Sequence, residues 1–281
     1  MFSSTVCDHP TLTGLTHLGL IAGEGQFPFL LARAARDRKI SVTAIGIHGI
    51  TSLDLEREVD TMLWVEFGQF NRMIELAHEA GIHKAMMAGR IKHTSIFQLS
   101  KIDSRGIKLL AKSASKKADA LLGAVTEELA KEDIEILDST MLLRECMPPP
   151  GLLTPSAAPS QAVLDDIHFG RPIASAIAGL DVGQTLVVKH KSVVAVEAME
   201  GTDETIVRAG SIAGEGCVVI KVSKPRQDKR FDVPVVGQTT VRKLAQIRAA
   251  ALAFPGGEAL FFEREAACAL AADYGITLLA W

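Results

Sequence analysis

The stretch Lys221-Val-Ser-Lys224-Pro-Arg-Gln227-Asp228-Lys-Arg230-Phe-Asp232-Val-Pro-Val-Val-Gly237 gathers lysines, arginines and two carboxylates between two prolines, directly after an apolar run. Carboxylates can hold Mg²⁺ while lysine and arginine contact phosphate oxygens, so these residue types suit phosphoryl chemistry. A salt-bridged surface loop is the competing explanation. A second acidic group, Glu197-Ala-Met-Glu200-Gly-Thr202-Asp203-Glu204, lies shortly upstream. Thr202 fits a helix N-cap, and Asp203 and Glu204 fit a first helical turn, where negative charge favours the helix dipole. Capping leaves Glu197 and Glu200 unexplained.

Such groups need elements to position them. Residues 217–223 are rich in β-branched side chains and predict a buried strand, with the charged loop leaving its end. Upstream, a helix over 165–180 and a turn, Asp181-Val-Gly183-Gln184, lead to a hairpin formed by 185–189 and 192–197. Downstream, a helix over 240–251, a strand over 259–262, a helix over 264–274 and a strand over 276–279 are expected as scaffold.

In the first half, the apolar strand His17–Ala22 runs into Gly23-Glu24-Gly25-Gln26 and then a helical segment. Glycines there let backbone N–H groups approach a phosphate at the positive end of a helix. The third glycine of the dinucleotide fingerprint is missing, so a plain tight turn serves equally well. Further strands are expected over 40–47, ending at His48-Gly49, over 83–88, ending at Gly89-Arg90, and over 134–138. Alternation of strands with helices predicts a parallel sheet, whose C-terminal edge is where ligands bind. His48 at such an end is more simply a surface residue. Lys101, Arg105, Lys108, Lys112 and Lys116 recur at helical spacing, a stripe that suits an anionic membrane surface or an ordinary solvated face. Asp119 opens the next helical segment, where a helix-end charge explains it.

The chain has 281 residues, 48% hydrophobic and 22% charged, enough for two globular domains. No apolar run approaches the ~20 residues of a membrane span. A net charge of −3 and a pI near 6.3 argue against a nucleic-acid partner. The cysteines, Cys7, Cys146, Cys217 and Cys268, form no CxxC pair and no secretion signal is evident, which predicts a reducing cytosol. The prolines from Pro148 to Pro159 predict a linker. The expected organisation is an arm over 1–14, a Rossmann-like parallel-sheet α/β domain over 15–147, a Pro-rich linker over 148–160 and a C-terminal mixed α/β catalytic domain over 161–281.

Several of these segments together form a family pattern: Leu18-Gly-Leu-Ile-Ala-Gly23-Glu-Gly25, Met87-Ala-Gly89, Asp166-Ile-His-Phe-Gly170, Asp181-Val-Gly-Gln184, Val196-Glu-Ala-Met-Glu200-Gly-Thr-Asp203 and Lys224-Pro-Arg-Gln-Asp228-Lys-Arg-Phe-Asp232-Val-Pro234. The pattern resembles the UDP-2,3-diacylglucosamine pyrophosphatases of the lipid A pathway, in the branch unrelated to calcineurin-like hydrolases. It spans nearly the whole chain beyond the first 14 residues. Glu24 stands where that family more often has glycine, and Ala118 where a glycine often precedes the aspartate, here Asp119.

The resemblance implies hydrolysis of UDP-2,3-diacylglucosamine to UMP and 2,3-diacylglucosamine 1-phosphate (lipid X), with Mg²⁺ or Mn²⁺ and with substrate between the domains. It implies an essential aspartate after residue 224, either Asp228 or Asp232. Lys221, Lys224 and Arg230 are expected to stabilise phosphoryl charge, and Asp228, Asp232, Glu200 and Asp203 to serve as metal or water-activating groups. Gly23, Glu24, Gly25, Gln26, Gly89, Asp119, Asp181, Gln184, Thr202 and Gln227 are expected to bind substrate. A diacylated substrate implies a cytoplasmic protein held peripherally at the inner leaflet of the inner membrane; a homodimer is compatible with this. A nucleotide-binding oxidoreductase and a non-catalytic lipid- or nucleotide-binding protein are the alternatives.

Overall fold

A computed structural model describes residues 10–91, 102–112, 118–225 and 227–281. The chain divides into two compact units, Met1–Leu143 with Lys229–Asp232, and Arg144–Asp228 with Val233–Trp281.

The first unit is built on a five-stranded sheet in the order β3-β2-β1-β4-β5, from β1 (His17–Ala22), β2 (Ser41–Ile47), β3 (Thr61–Val65), β4 (Lys84–Ala88) and β5 (Glu135–Ile136). Every pairing is parallel. β2 is buried along nearly its whole length, as a strand covered on both faces must be. The helices are α1 (Phe27–Asp37), α2 (Phe70–Glu79), α3 (Ser104–Lys112) and α4 (Ala118–Ala130). α1 carries a proline in its first turn and buries Leu31, Ala32, Ala34 and Ala35 while Arg33 and Arg36 face solvent. The strand order reverses direction between β1 and β4, the switch point at which doubly wound sheets hold ligands. β3 is absent from the sequence expectation. It is a short edge strand, mostly half-buried, and lacks a clean alternating pattern.

Residues 229–232 complete this unit although they lie far along the chain. Ser139, fully buried just after β5, donates from both its amide (3.2 Å) and its hydroxyl (3.0 Å) to the Lys229 carbonyl. Phe231 packs against the core formed by Ile45, Met73, Leu109, Leu129 and Ile136.

The second unit has a six-stranded mixed sheet in the order β6-β13-β11-β9-β7-β8. Its strands are β6 (Gly151–Leu152), β7 (Thr185–Lys189), β8 (Ser192–Val196), β9 (Val218–Lys221), β11 (Ala251–Phe254) and β13 (Thr277–Ala280); β10 (Val235–Val236) and β12 (Leu260–Phe261) pair separately. The helices are α5 (Gln161–Gly179), α6 (Thr202–Ala213), α7 (Gln238–Gln246) and α8 (Arg264–Asp273). The strand faces divide cleanly. Val218, Ile220 and Val222 pack with α5 residues Ile167, Ala174 and Ala178. Cys217 and Val219 face the core containing Ile206, Leu244 and Ala267.

Two expectations are corrected here. The 148–160 stretch is part of the second unit and not a linker: β6 pairs with β13, Thr154 donates its hydroxyl to the Ile276 carbonyl, and the Gly257 amide donates to the Pro148 carbonyl. Prolines hold this segment extended, and an extended segment can add an edge strand. The helix expected over 240–251 ends at Gln246, and 251–254 form β11 at the centre of the sheet.

The Asp166-to-Gly170 motif is explained by packing. The buried Asp166 carboxylate accepts from the His190 and Lys191 amides at 2.9 and 2.6 Å, fixing a hairpin turn in which both residues have positive φ. Gly170, one turn further along α5, admits the Ile220 and Val188 side chains where a Cβ would collide.

Candidate functional site

In the second unit one polar network links six of the residues expected from sequence. β9 ends at Lys221, whose side chain turns to the α6 side of the sheet and is 7% exposed. Its ammonium donates to the Thr202 hydroxyl at 2.9 Å, at the first residue of α6. Thr202 in turn donates to Glu197 Oε1 at 3.0 Å and lies 3.2 Å from the Thr185 hydroxyl. The other Glu197 oxygen accepts from the Gln184 amide at 3.3 Å. The Gln184 carbonyl accepts the Val222 amide, so the expected turn is bonded to the segment following β9.

Beyond β9, Gln227 joins the same set. Its side-chain oxygen accepts from the Lys224 amide at 2.9 Å, and its nitrogen approaches the Gln184 side-chain oxygen at 3.4 Å. The Lys224 ammonium pairs with Asp181 at 2.8 Å, both side chains largely buried. Asp181 adopts a left-handed backbone conformation, φ +59°, which aspartate tolerates better than most residues. The hydroxyl of Ser223 is buried and has no hydrogen-bond partner among the described residues.

The acidic residues at the start of α6 are engaged differently. Glu200 pairs with Arg208 and accepts from the Thr205 hydroxyl and the Ala198 amide. Its own backbone amide first, and then the Arg208 guanidinium, hold its carboxyl below the usual glutamate range. Asp203 accepts from the Thr240 hydroxyl at 3.1 Å. Among the described residues, no group of three or more His, Cys, Asp or Glu side chains could hold a metal ion. Glu200 is thus engaged in an ion pair and Asp203 in a hydrogen bond between α6 and α7. Asp228 closes the second unit's share of the loop. Arg230 and Asp232 lie in the segment belonging to the first unit, with the Arg230 guanidinium 6.0 Å from the Phe231 ring centre.

In the first unit, Gly23 and Gly89 meet at the switch point. The Gly23 amide donates to the Ala88 carbonyl at 2.8 Å, and Glu24 and Arg90 exchange backbone hydrogen bonds of 2.9 and 3.1 Å. A Cβ on either glycine would meet the opposing backbone at 2.8 Å. The physical need for glycine at 23 and 89 is thus the approach of two loops, and the Gly23 and Glu24 amides are already bonded to protein. Gly25 and Gln26 continue into α1, with Gly25 at φ +102° and open space around it. His48 is exposed and stacks on Trp64, ring centres 5.1 Å apart.

Of the basic stripe, Lys108 is exposed, while Arg105 is spent on Glu128 of α4 and on Glu132 in the turn that follows it. Lys101, Lys116 and the side chains of Lys112 and Asp119 lie outside the described residues. Burial pushes the Cys217 and Cys268 thiols up, in keeping with inert packing roles. Sequence reasoning did not include Glu197, Thr185 or Ser223 among the site residues. Only Glu197 left a signal, as a carboxylate that helix capping did not explain.

Comparison with known proteins bears on the same segments. Family models described as the LpxI N-terminal domain and the LpxI C-terminal domain match residues 17–146 and 149–279. A protein of Caulobacter vibrioides named UDP-2,3-diacylglucosamine pyrophosphatase LpxI is 33% identical over 275 residues, covering 93% of this chain and 96% of that protein. Solved structures offer weaker likenesses. The biotin carboxylase domain of Hydrogenobacter thermophilus 2-oxoglutarate carboxylase is 13% identical with a TM-score of 0.28, and the match covers 70% of this chain and 41% of that one. Biotin carboxylase of Campylobacter jejuni is 11% identical with a TM-score of 0.28, covering 72% and 43%. The chain thus spans less than half of either structure, and likenesses at this level carry no argument. Both halves of the sequence match their family models, and the identity extends over 93% of the chain: the chain belongs to the LpxI family.

Proposed function

We propose that this chain is a hydrolase that cleaves the pyrophosphate of UDP-2,3-diacylglucosamine, releasing UMP and 2,3-diacylglucosamine 1-phosphate for lipid A biosynthesis. The observation that carries this reading is the 33% identity over 93% of the chain to a protein named for that substrate. The network at the end of β9 supplies a matching chemistry.

In this reading Lys221 and Lys224, held by Thr202 and Asp181, present positive charge to the phosphoryl oxygens, and Arg230 adds to it. Water attacks one phosphorus, the anhydride P–O bond breaks, and the bonding pair leaves on the departing phosphate. Asp228 or Asp232 takes the proton from the attacking water. Positioning and electrostatics account for most of the acceleration of such a transfer.

A divalent cation, Mg²⁺ or Mn²⁺, is part of the proposal and would supply charge neutralisation on the pyrophosphate. Mg²⁺ is commonly held by one or two carboxylates together with phosphate oxygens and water. That arrangement needs no protein cage and agrees with the dispersed carboxylates described above. The two acyl chains of the substrate place the reaction at the inner leaflet, with the protein cytoplasmic and peripheral, as a monomer or a homodimer. Among the described residues, no helix is long and apolar enough to cross a membrane.

The test is UMP release from UDP-2,3-diacylglucosamine by the purified chain, with and without EDTA. UMP and the sugar 1-phosphate are expected, with loss in EDTA and recovery on adding Mg²⁺. Tight binding of the acylated nucleotide with no UMP formed would overturn the hydrolase reading, and full turnover in EDTA would overturn the cation requirement.

A further inference from the structure

Lys221 and Lys224 stand three residues apart and are held in opposite ways. Lys224 touches its carboxylate directly, at 2.8 Å from Asp181. Lys221 does not: among the described residues its ammonium has one hydrogen-bond partner, the neutral Thr202 hydroxyl, and no ion pair, although its residue is 7% exposed. Burying an ammonium without an anion costs several kcal/mol, and an ammonium has three protons to place. Lys221 is bonded through one of them.

The geometry around Thr202 explains why its hydroxyl faces Lys221 with a lone pair. A hydroxyl has one proton and two lone pairs, and an ionised carboxylate can only accept. Glu197 therefore accepts the hydrogen bond that the Thr202 hydroxyl donates at 3.0 Å, and the lone pairs are left for Lys221 at 2.9 Å and for the Thr185 hydroxyl at 3.2 Å. Glu197 is itself fixed by the Gln184 amide and by the close seat of Gly183 against its backbone. The counter-charge is thus present one hydroxyl away, where it orients the ammonium without occupying its remaining protons. Two residues further on, the Ser223 hydroxyl is also buried and has no hydrogen-bond partner among the described residues.

We infer that Glu197, acting through Thr202, is a positioning residue that holds Lys221 ready to bind a phosphoryl group of the substrate. This assignment rests on the pyrophosphatase reading for its substrate, and on the Lys221 geometry for its anion.

The experiment measures binding of inorganic pyrophosphate by calorimetry, and UMP release, for the full chain and for Lys221→Met, Thr202→Val, Thr202→Ser and Glu197→Gln. Lys221→Met should weaken pyrophosphate binding about 10- to 100-fold, the range for hydrogen bonds to a charged group. Thr202→Val and Glu197→Gln should each weaken it about tenfold and lower kcat more than they raise KM. Thr202→Ser, which restores the hydroxyl, should recover most of the loss caused by valine. Pyrophosphate affinity and kinetics unchanged in both Thr202→Val and Glu197→Gln would overturn the inference. So would a serine variant as impaired as the valine one, because the hydroxyl would then not be the operative group. If the unmodified chain releases no UMP while pyrophosphate binding still depends on Lys221, Thr202 and Glu197, the hydrolase reading falls and the positioning assignment stands.

Discussion

Gly183 sits so close against Glu197 that a Cβ at position 183 would overlap the Glu197 carbonyl oxygen. The obstacle is backbone, which cannot swing aside as a flexible side chain would. Gly183→Ala should therefore push the 181–184 turn away from Glu197 and cost about 2 kcal/mol, the usual scale for overpacking. The urea midpoint should fall and UMP release with it; an unchanged midpoint would show that the turn relaxes freely.

Within the 228–232 loop, one aspartate is expected to be essential. Replacing the right one by asparagine keeps its shape but removes proton acceptance, and should lower kcat by roughly 10²- to 10⁴-fold. The other should change kcat far less. Normal UMP release by both Asp228→Asn and Asp232→Asn would remove this loop from the chemistry.

Lys224 and Asp181 form a largely enclosed pair, 16% and 22% exposed. Asparagine also tolerates positive φ, so Asp181→Asn removes the charge while sparing the backbone. A double-mutant cycle with Lys224→Met should give a coupling energy of about 1 kcal/mol, at the upper end for pairs that retain some solvent. Strictly additive effects would mean that the contact is incidental.

Glu200 gives the fold a pH dependence on the acid side. Its folded carboxyl titrates lower than in the unfolded chain, because its own amide and Arg208 favour the ionised form. Between the folded value and the unfolded value of about 4.3, the unfolded chain binds more protons, so stability rises with pH through that window. The contribution is fully present above the unfolded value and is lost as pH falls through the folded one. Glu200→Gln should flatten the slope of the denaturation midpoint in the acid range below the unfolded value of about 4.3. An identical slope would assign acid sensitivity to other carboxylates, such as Glu58, which Arg33 holds low in the same way.

Much of the architecture is legible in the residues themselves. The β-branched runs at 41–47 and 218–221 become central strands, and the hairpin at 185–196 forms in its expected place. What escapes has physical causes. Ala251-Leu-Ala-Phe254 carries good helix formers, yet the sheet claims it because both of its faces are buried. Pro148 to Pro150 suit a linker and an edge segment equally well, and tertiary contacts such as the Pro148–Gly257 hydrogen bond and the β6–β13 pairing decide between them. The site is half legible for a similar reason. Lys221, Lys224 and Asp181 stand out by type, whereas Glu197 acquires its place from Gly183, fourteen residues earlier, through a backbone approach that no local pattern encodes.

The four residues Lys229–Asp232 make the first unit a discontinuous domain. Synthesis of its first 143 residues yields a sheet without Phe231 in the core and without the carbonyl that Ser139 binds twice. At about 5–20 residues per second, a ribosome needs several seconds more to deliver that plug. The N-terminal half must wait, incomplete, for a segment encoded after most of its neighbour, so its folding cannot be finished in the order in which it is made. A gene truncated after residue 143 would express a domain with an open seam at the end of β5.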